Sequence, residues 1–326
     1  MSKNNSRREF IKLSSMTGAG VAFNIGPSLF KANNPAIANK IVAAEPIIDI
    51  HQHTNYLGRT DNKLLTHQRN MGITTTILLP AGHPVDYGST YYGVGNGLQA
   101  EATANEACYK LANQFPNEFL FGANEVPDFP GAIQEIEKYL KLGARIIGES
   151  KFGLECDSPE MQKIYELAQE YNVPVHMHWQ YNMYNRGFGR FSKMLEKYPK
   201  VNFIGHAQTW WANIDKDYKD QNVLYPTGKV TAGGLTDRLL SDYANIFGDL
   251  AAPSGLNFFL RDEDHARKFL DRHQDKLLFG SDCTDTMGNG PNCAGAMIIA
   301  SIRRLAPNKI VERRILYENA KKLFRL

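Results

Sequence analysis

Short runs of apolar and β-branched residues recur along the chain, and each ends in polar residues. Runs of this length and composition are typical of buried strands. Most are followed by a segment with apolar residues at helical spacing, as in 130–143, where Ile133, Ile136 and Leu140 recur. The eight predicted strands lie within residues 46–54, 73–82, 119–127, 144–150, 173–179, 201–208, 245–253 and 277–284.

The alternation of strands with helices predicts the fold class. Strands joined through helices make crossover connections, which produce a parallel sheet. Eight such units within residues 39–326 fit a barrel better than an open doubly wound sheet, and no G-x-G-x-x-G follows the first strand. We therefore predict an α/β fold, a single-domain (β/α)8 TIM barrel, with the functional site at the carboxyl ends of the strands. Residues 212–236 lack a clear period and are predicted to form a loop over one face.

Residues 1–38 differ from the rest of the chain. The segment SRREFIK at 6–12 resembles a twin-arginine export signal, and Ala36-Ile37-Ala38 predicts a cleavage site. The stretch between them is too interrupted by polar residues, Gly and Pro to span a bilayer stably. We therefore expect a twin-arginine-type signal peptide at 1–38 and a catalytic barrel at 39–326. The predicted partner is the twin-arginine export machinery and the predicted location is the periplasm, without stable membrane insertion after processing; the alternative is a cytoplasmic enzyme with a basic tail.

Composition narrows the classes of partner. The 326 residues are 43% hydrophobic, and the net charge is only +3, with the excess positive charge in residues 1–38. No basic field therefore exists that would recruit nucleic acid. The cysteines, Cys108, Cys156, Cys283 and Cys293, lack C-x-x-C spacing, and solitary thiols are favoured over a Cys283–Cys293 bridge. We expect a small-molecule substrate, and the sequence leaves open a homo-oligomer.

The first predicted strand, PIIDIHQHT, ends with two histidines separated by one residue. Side chains at i and i+2 of a strand point to the same side, so His51 and His53 are predicted to face the barrel interior. Two imidazoles at the carboxyl end of a barrel strand supply half of the ligand shell of a divalent ion. The alternative is a buried pair that is hydrogen-bonded to the backbone.

Four further predicted strands end in side chains that bind metals. These side chains are Glu149 on the fourth strand, His176 and His178 on the fifth, His206 on the sixth and Asp282 on the eighth. Because the carboxyl ends of barrel strands meet at one face, the sequence predicts a metal site there. His176 lies deeper in its strand and is expected to support the ligands. His265 and His273 lie in a charged helix and are predicted to be solvated.

The spacing of these residues resembles that of the amidohydrolase superfamily of metal-dependent barrels. The resemblance rests on four motifs: H-x-H in the first strand, P-x-x-x-H ending at His178, G-H ending at His206 and G-S-D ending at Asp282. The terminal ILYENAKKLFRL resembles the closing helix of the amidohydrolase-related branch, which also contains aminocarboxymuconate semialdehyde and resorcylate decarboxylases. The resemblance covers residues 45–326.

This resemblance implies a ligand set. The implied ligands of one divalent ion, expected to be Zn²⁺, are His51, His53, His178 and Asp282. His206 would bind a second ion or hydrogen-bond the metal water and the substrate. Many two-metal members bridge their ions with a carboxylate at the fourth strand, and Glu149 could take this role, with His178 and His206 on the second ion. The sequence leaves the choice between one and two ions open.

The expected mechanism follows from a Lewis-acidic ion, which lowers the pKa of bound water toward ~7 and polarises a carbonyl. Asp282 would act as the general base and then return the proton to the leaving group, while His206 would stabilise the oxyanion. We expect hydrolysis of an ester, lactone or amide bond of a small carboxylated substrate. The alternatives are a metal-dependent non-oxidative decarboxylase of an aromatic or unsaturated acid, and a non-catalytic ligand-binding barrel.

Loop positions after the strands suggest substrate contacts. The candidates are Trp179, Arg186, Trp210, Arg238 and Arg261. Arginines beside aromatic rings suit a planar carboxylated substrate, through paired hydrogen bonds and stacking. The alternative is an aromatic lid that packs on itself, with solvated arginines.

Overall fold

A computed structural model describes residues 45–90 and 97–326, and the predicted signal peptide and its cleavage site lie outside these residues. The strands are β1 Ile48–Gln52, β2 Thr75–Leu78, β3 Phe119–Phe121, β4 Ile147–Ser150, β5 Val175–His178, β6 Phe203–His206, β7 Ile246–Asp249 and β8 Leu277–Leu278. Each lies within one of the eight predicted strand segments, so the strand prediction is confirmed.

Helices follow the strands around the barrel. They are α1 Asp61–Met71, α2 Asn105–Gln114, α3 Ala132–Lys141, α4 Pro159–Tyr171, α5 Ser192–Lys197, α6 Gln208–Ala212, α7 Leu235–Asp242, α8 Ala252–Arg261, α9 Glu263–Arg272, α10 Ala294–Leu305, α11 Lys309–Arg313 and α12 Asn319–Phe324. The Ser158 side chain caps α4 by accepting from the backbone N–H of Met161, and Pro159 occupies the first turn, where its missing N–H costs nothing. Among the described residues, no helix is long and apolar enough to cross a membrane.

The strands close into a barrel. Neighbouring strands pair in parallel and in sequence order within two groups, β1-β2-β3 and β4-β5-β6-β7-β8. A bridge between Ala123 and Ile147 joins the two groups, and the N–H of Ile50 donates to the carbonyl of Phe279 at 3.1 Å, which joins β8 to β1. The predicted single-domain (β/α)8 fold is therefore confirmed.

An apolar core inside the barrel supports the strands that carry the site. Ile48, Ile77, Ile204 and other buried residues of the strands pack against Phe324 of the terminal helix α12. A larger cluster of buried side chains fills the layer between the strands and the outer helices. Of the predicted loop at 212–236, residues 213–234 contain no helix or strand, whereas Ala212 ends α6 and Leu235 begins α7.

Candidate metal centre

The two histidines of β1 face each other at the carboxyl end of the barrel. His51 Nε2 lies 3.1 Å from His53 Nε2, and both rings are fully buried. The other nitrogen of each ring meets an acceptor: His51 Nδ1 lies 2.7 Å from Asp249 Oδ2, and His53 Nδ1 lies 2.7 Å from the Leu79 carbonyl oxygen. Because these acceptors hold the proton of each neutral imidazole on Nδ1, both Nε2 atoms direct a lone pair into the same space, where a proton or a metal ion can bind.

Two carboxylates complete a set of four donors. Glu149 Oε2 lies 3.5 Å from Nε2 of both His51 and His53, and Asp282 Oδ1 lies 3.4 Å from His53 Nε2 and 3.8 Å from His51 Nε2. Bonds of about 2.0–2.2 Å to a tetrahedral ion place its N and O ligands about 3.3–3.6 Å apart. His51, His53 and Glu149 therefore fit one divalent ion, and Asp282 lies beside them. Glu149 rather than His178 lies beside the β1 pair, as in the two-ion alternative, and the implied ligand set stays a prediction.

His178 and His206 lie on the other side of Glu149. His178 Nδ1 is 2.5 Å from Glu149 Oε1, while His206 Nε2 is 3.9 Å from the same oxygen and 3.6 Å from Asp282 Oδ2. Burial lowers the pKa of His178 to about 4, so this imidazole is neutral at neutral pH. Nε2 of both histidines and Asp282 Oδ1 are buried without a hydrogen-bond partner among the described residues. Each carboxylate thus directs one oxygen to each side of the centre, as a bridging ligand does.

The electrostatics of the centre favour positive charge. Burial raises the pKa of Glu149 and of Asp282, but the neighbouring histidines outweigh burial and hold both pKa values well below the ordinary range. Burial lowers the pKa of His51, yet the charges of Asp282 and Glu149 raise it well above its usual value. A group of buried carboxylates that holds a proton at His51 will also stabilise a divalent ion there.

Asp249 is a buried residue of the centre that the sequence analysis missed. Its Oδ2 lies 2.7 Å from His51 Nδ1, 2.9 Å from His176 Nε2 and 3.2 Å from His206 Nδ1. It therefore orients three imidazoles and fixes the protonated nitrogen of His51, a role that carboxylates often take behind metal ligands. His176 supports the centre through this contact, as predicted. The available signal was position, because Asp249 ends β7 just as Asp282 follows β8.

Asp49, the acid within PIIDIHQHT, ties β1 to its surroundings. The register of β1 on β2 shifts between Asp49 and Gln52. Asp49 accepts hydrogen bonds from Gln68 of α1 at 2.9 Å and from the backbone N–H groups of Ser281 and His51 at 2.9 and 3.0 Å. Gln52 donates to Ser281 Oγ at 2.7 Å. These bonds lock the strand that carries the two histidines to the segment that carries Asp282.

The two tryptophans predicted to contact substrate lie in the hydrophobic core. Trp179 is 1% exposed and packs on Phe188 and Phe191, with ring centroids 4.9 and 4.7 Å apart. Trp210 is fully buried, with its ring against Gly205, where a Cβ would lie 2.3 Å from it. The full burial of Trp210 argues against contact with a ligand, whereas Trp179 lines the cavity that Arg186 also lines, so its contact with substrate stays a prediction.

The three arginines have different positions. Arg261 is buried, and its Nη2 lies 2.6 Å from Asp215 Oδ2, so it anchors the loop of residues 213–234 rather than a substrate. Arg238 is exposed on α7. Arg186 Nε lies 3.0 Å from Glu155 Oε1, and Arg186 lines a cavity with residues of the loops after β5 and β6. Contact of Arg186 or Arg238 with substrate stays a prediction.

The histidines of α9 and its end are buried rather than solvated. His265 is 6% exposed and His273 is 4% exposed, and both rings pack on Phe269. His273 Nε2 lies 2.6 Å from Asp237 Oδ1. The prediction failed because the charged residues occupy only the outer face of this helix.

Known proteins with this architecture include a probable hydrolase and decarboxylases. Similar solved structures include a probable 2-pyrone-4,6-dicarboxylic acid hydrolase from Acinetobacter baumannii, with 15% identity, a TM-score of 0.55 and coverage of 86% of this chain and 99% of that one. The 5-carboxyvanillate decarboxylase of Sphingomonas paucimobilis has 15% identity, a TM-score of 0.54 and coverage of 83% and 85%. A dihydroxybenzoic acid decarboxylase from Polaromonas sp. JS666, with bound manganese and an inhibitor, has 15% identity, a TM-score of 0.53 and coverage of 86% and 97%.

These structural likenesses, at such low identity, establish the fold. No curated protein sequence matches the chain. Residues 48–326, which include every strand of the barrel and all donors of the centre, match the Amidohydro_2 family, described as amidohydrolase. The chain therefore belongs to the Amidohydro_2 family of amidohydrolases, with a candidate metal centre at the carboxyl ends of its strands.

Proposed function

We propose that this enzyme hydrolyses an ester, lactone or amide bond of a small carboxylated substrate. The observation that supports acid–base catalysis at this centre is the position of Asp282. Its side chain is 11% exposed, whereas that of Glu149 is 2% exposed and those of His51 and His53 are fully buried. A general base must reach both the attacking water and the leaving group. Asp282 is the donor of this set with access to both.

The residues of the centre would have two roles, metal binding and proton transfer. His51, His53, Glu149 and Asp282 would hold a divalent ion, and we propose Zn²⁺ because nitrogen and carboxylate donors at this spacing suit it. When bound, the ion supplies an activated water and polarises the scissile carbonyl. Asp282 would take a proton at Oδ2, the oxygen that faces His206 rather than the β1 histidines, and return it to the leaving oxygen or nitrogen.

His206 stands opposite this base. Its Nε2 lies 3.6 Å from Asp282 Oδ2, and its Nδ1 lies 3.2 Å from Asp249 Oδ2. Burial lowers the pKa of His206, but the hydrogen bond to Asp249 outweighs it and raises the pKa above its usual value. His206 can therefore carry a proton on Nε2 and direct it at the oxyanion that develops during attack.

Decarboxylation of an aromatic or unsaturated acid is the second candidate. Two of the similar solved structures are named as decarboxylases of hydroxylated or methoxylated aromatic acids, and one of these holds manganese. In such a reaction Asp282 would first take a proton from water and then deliver it to the carbon that loses the carboxyl group, so the same side chain serves either chemistry.

Hydrolysis forms a bond from solvent oxygen to the acyl carbon, whereas decarboxylation forms a carbon–hydrogen bond. Isotope-labelled water therefore distinguishes the two reactions. The purified enzyme is incubated with carboxylated lactones, esters and amides and with dihydroxybenzoates. Hydrolysis in H2¹⁸O places solvent oxygen in the product acid. Decarboxylation in D2O places deuterium on the carbon that lost CO2. Deuterium on carbon together with CO2 release, and no turnover of lactones, esters or amides, would overturn the hydrolase proposal.

Substitution of the base tests its role directly. Asp282→Asn is expected to lower kcat by about 10²–10⁴-fold, the usual contribution of general acid–base catalysis. Asp264→Asn is the matched control, because that side chain is 83% exposed on α9. Elemental analysis of each variant separates loss of the base from loss of metal. The same measurement identifies the ion and gives the ratio of metal to protein. An unchanged kcat in Asp282→Asn would refute the assigned role.

A further inference from the structure

A second cluster of metal-binding side chains lies outside the barrel centre. We propose that His67, Cys283 and Cys293 bind a thiophilic ion of the Zn²⁺ class. His67 lies on α1, Cys283 directly follows Asp282, and Cys293 directly precedes α10. The three ligand atoms lie within 4.8 Å of one another, and all three residues are buried.

The distances match coordination. Cys293 Sγ lies 3.8 Å from Cys283 Sγ and 3.3 Å from His67 Nε2. A tetrahedral zinc ion with Zn–S bonds of about 2.3 Å and Zn–N bonds of about 2.0 Å places two sulfurs about 3.8 Å apart, and a sulfur and a nitrogen about 3.5 Å apart. A disulfide requires an S–S distance of about 2.05 Å. The spacing fits two sulfur ligands on one ion and is too long for a disulfide.

The surroundings favour thiolates and a soft metal. Cys293 caps α10, where its Sγ accepts a hydrogen bond from the backbone N–H of Ala296 at 3.4 Å, and a helix N-terminus favours a negative sulfur. Met71 Sδ lies 3.7 Å from Cys293 Sγ and adds a thioether to the cluster. Thiolate, thioether and imidazole ligands together select Zn²⁺ and Cu⁺ over Mg²⁺ or Ca²⁺.

The other two buried cysteines lack this environment. Cys108 Sγ lies 3.4 Å from the Thr54 hydroxyl, and Cys156 Sγ lies 3.4 Å from the Gly187 carbonyl oxygen. Neither belongs to any group of three metal-binding side chains in the described part of the chain. They supply matched controls for a cysteine substitution.

An ion at this cluster would join three segments of the chain. As it binds, each thiol releases its proton to solvent and a metal–sulfur bond forms. The ion then ties α1 and α10 to the loop after β8, which carries Asp282 of the barrel centre. Arg59 Nη1 and Gln52 Nε2 already donate to the Cys283 carbonyl, so the loop is held at the backbone and would be held a second time at the sulfur. The cluster would therefore be a structural metal site that supports the barrel centre.

Cobalt substitution distinguishes the two sites, because the barrel centre contains no sulfur ligand. The full chain is loaded with Co²⁺ under reducing conditions, and its absorption spectrum and metal content are measured. We expect a thiolate-to-Co²⁺ charge-transfer band in the near ultraviolet. Cys293→Ser should lose this band and one ion per chain, whereas Cys108→Ser should keep both. The band does not depend on turnover, so failure of the proposed hydrolase activity would leave this result unaffected.

Three results would overturn the proposal. The first is a wild-type chain that fills its barrel centre with Co²⁺ but shows no charge-transfer band. The second is a band that persists in Cys293→Ser. The third is a disulfide between Cys283 and Cys293. Mass spectrometry under non-reducing conditions would then give a chain mass lower by two hydrogens, and a digest would contain the two cysteine peptides joined to each other. If Cys293→Ser does not fold, X-ray absorption of the zinc-loaded wild type decides, since sulfur in the ligand shell supports the proposal and its absence refutes it.

Discussion

Asp249→Asn is the substitution that best tests how the barrel centre is organised. The change keeps the shape of the side chain but replaces one carboxylate oxygen with an NH2 group. Asp249 Oδ1 accepts from the backbone N–H of Ala251 at 3.0 Å, so the amide oxygen of Asn is held there. The NH2 group then takes the place of Oδ2, 2.7 Å from His51 Nδ1 and 2.9 Å from His176 Nε2.

An NH2 donor at that position reverses the hydrogen bond to His51. Nδ1 must then accept, which moves the proton of the neutral imidazole to Nε2 and removes the lone pair directed at His53 and Glu149. The opposite amide orientation leaves the N–H of Ala251 facing an NH2 group. Loss of a partner behind a metal ligand lowers metal affinity by about 10–100-fold, or about 1.4–2.7 kcal/mol. Because Asp249 also contacts His206, we expect the upper end of this range.

The assay is metal affinity by competition with a chromophoric chelator at fixed pH. Asp215→Asn is the control, because Asp215 is also a buried carboxylate but pairs with Arg261 in the loop of residues 213–234. Thermal unfolding of the metal-free proteins shows whether each variant folds. A folded Asp249→Asn variant that binds metal within twofold of the wild type would refute the orienting role.

Two further predictions concern stability. Burial raises the pKa of Asp237, but hydrogen bonds and the charge of Arg272 outweigh it and hold the pKa at about 2, below the usual 3.8. A lowered pKa stabilises the fold above pH 3.8, and the effect is lost as the pH falls through 2. Asp237→Asn should therefore lower the free energy of unfolding by about 1–2 kcal/mol at pH 7 in urea titrations, with a gap that closes below pH 3; a constant gap would contradict this. Gly205→Ala should cost about 1–3 kcal/mol, because its Cβ would lie 2.3 Å from the Trp210 ring, whereas Gly189→Ala, with nothing within 4 Å, is the control. Equal melting temperatures for these two variants would contradict the steric argument.

The sequence alone was enough to locate the barrel and most donors of its centre. Apolar runs of strand length and helical spacing are local properties, so all eight strands could be predicted from neighbouring residues. The two-residue period placed His51 and His53 on one side, and the rule that barrel sites lie at strand ends gathered Glu149, His206 and Asp282 at the same face.

Only the tertiary structure decided which of these groups touch. The choice of Glu149 over His178 beside the β1 pair depends on how far each strand is displaced along its neighbours when the barrel closes, and no local pattern contains that displacement. The role of Asp249 could not be predicted for the same reason. Its contacts with the histidines of β1, β5 and β6 form only when the barrel closes. Trp179 and Trp210 follow strand ends in sequence, yet packing turns them into the core. His67, Cys283 and Cys293 come together because the folded barrel brings α1, the loop after β8 and the start of α10 into contact.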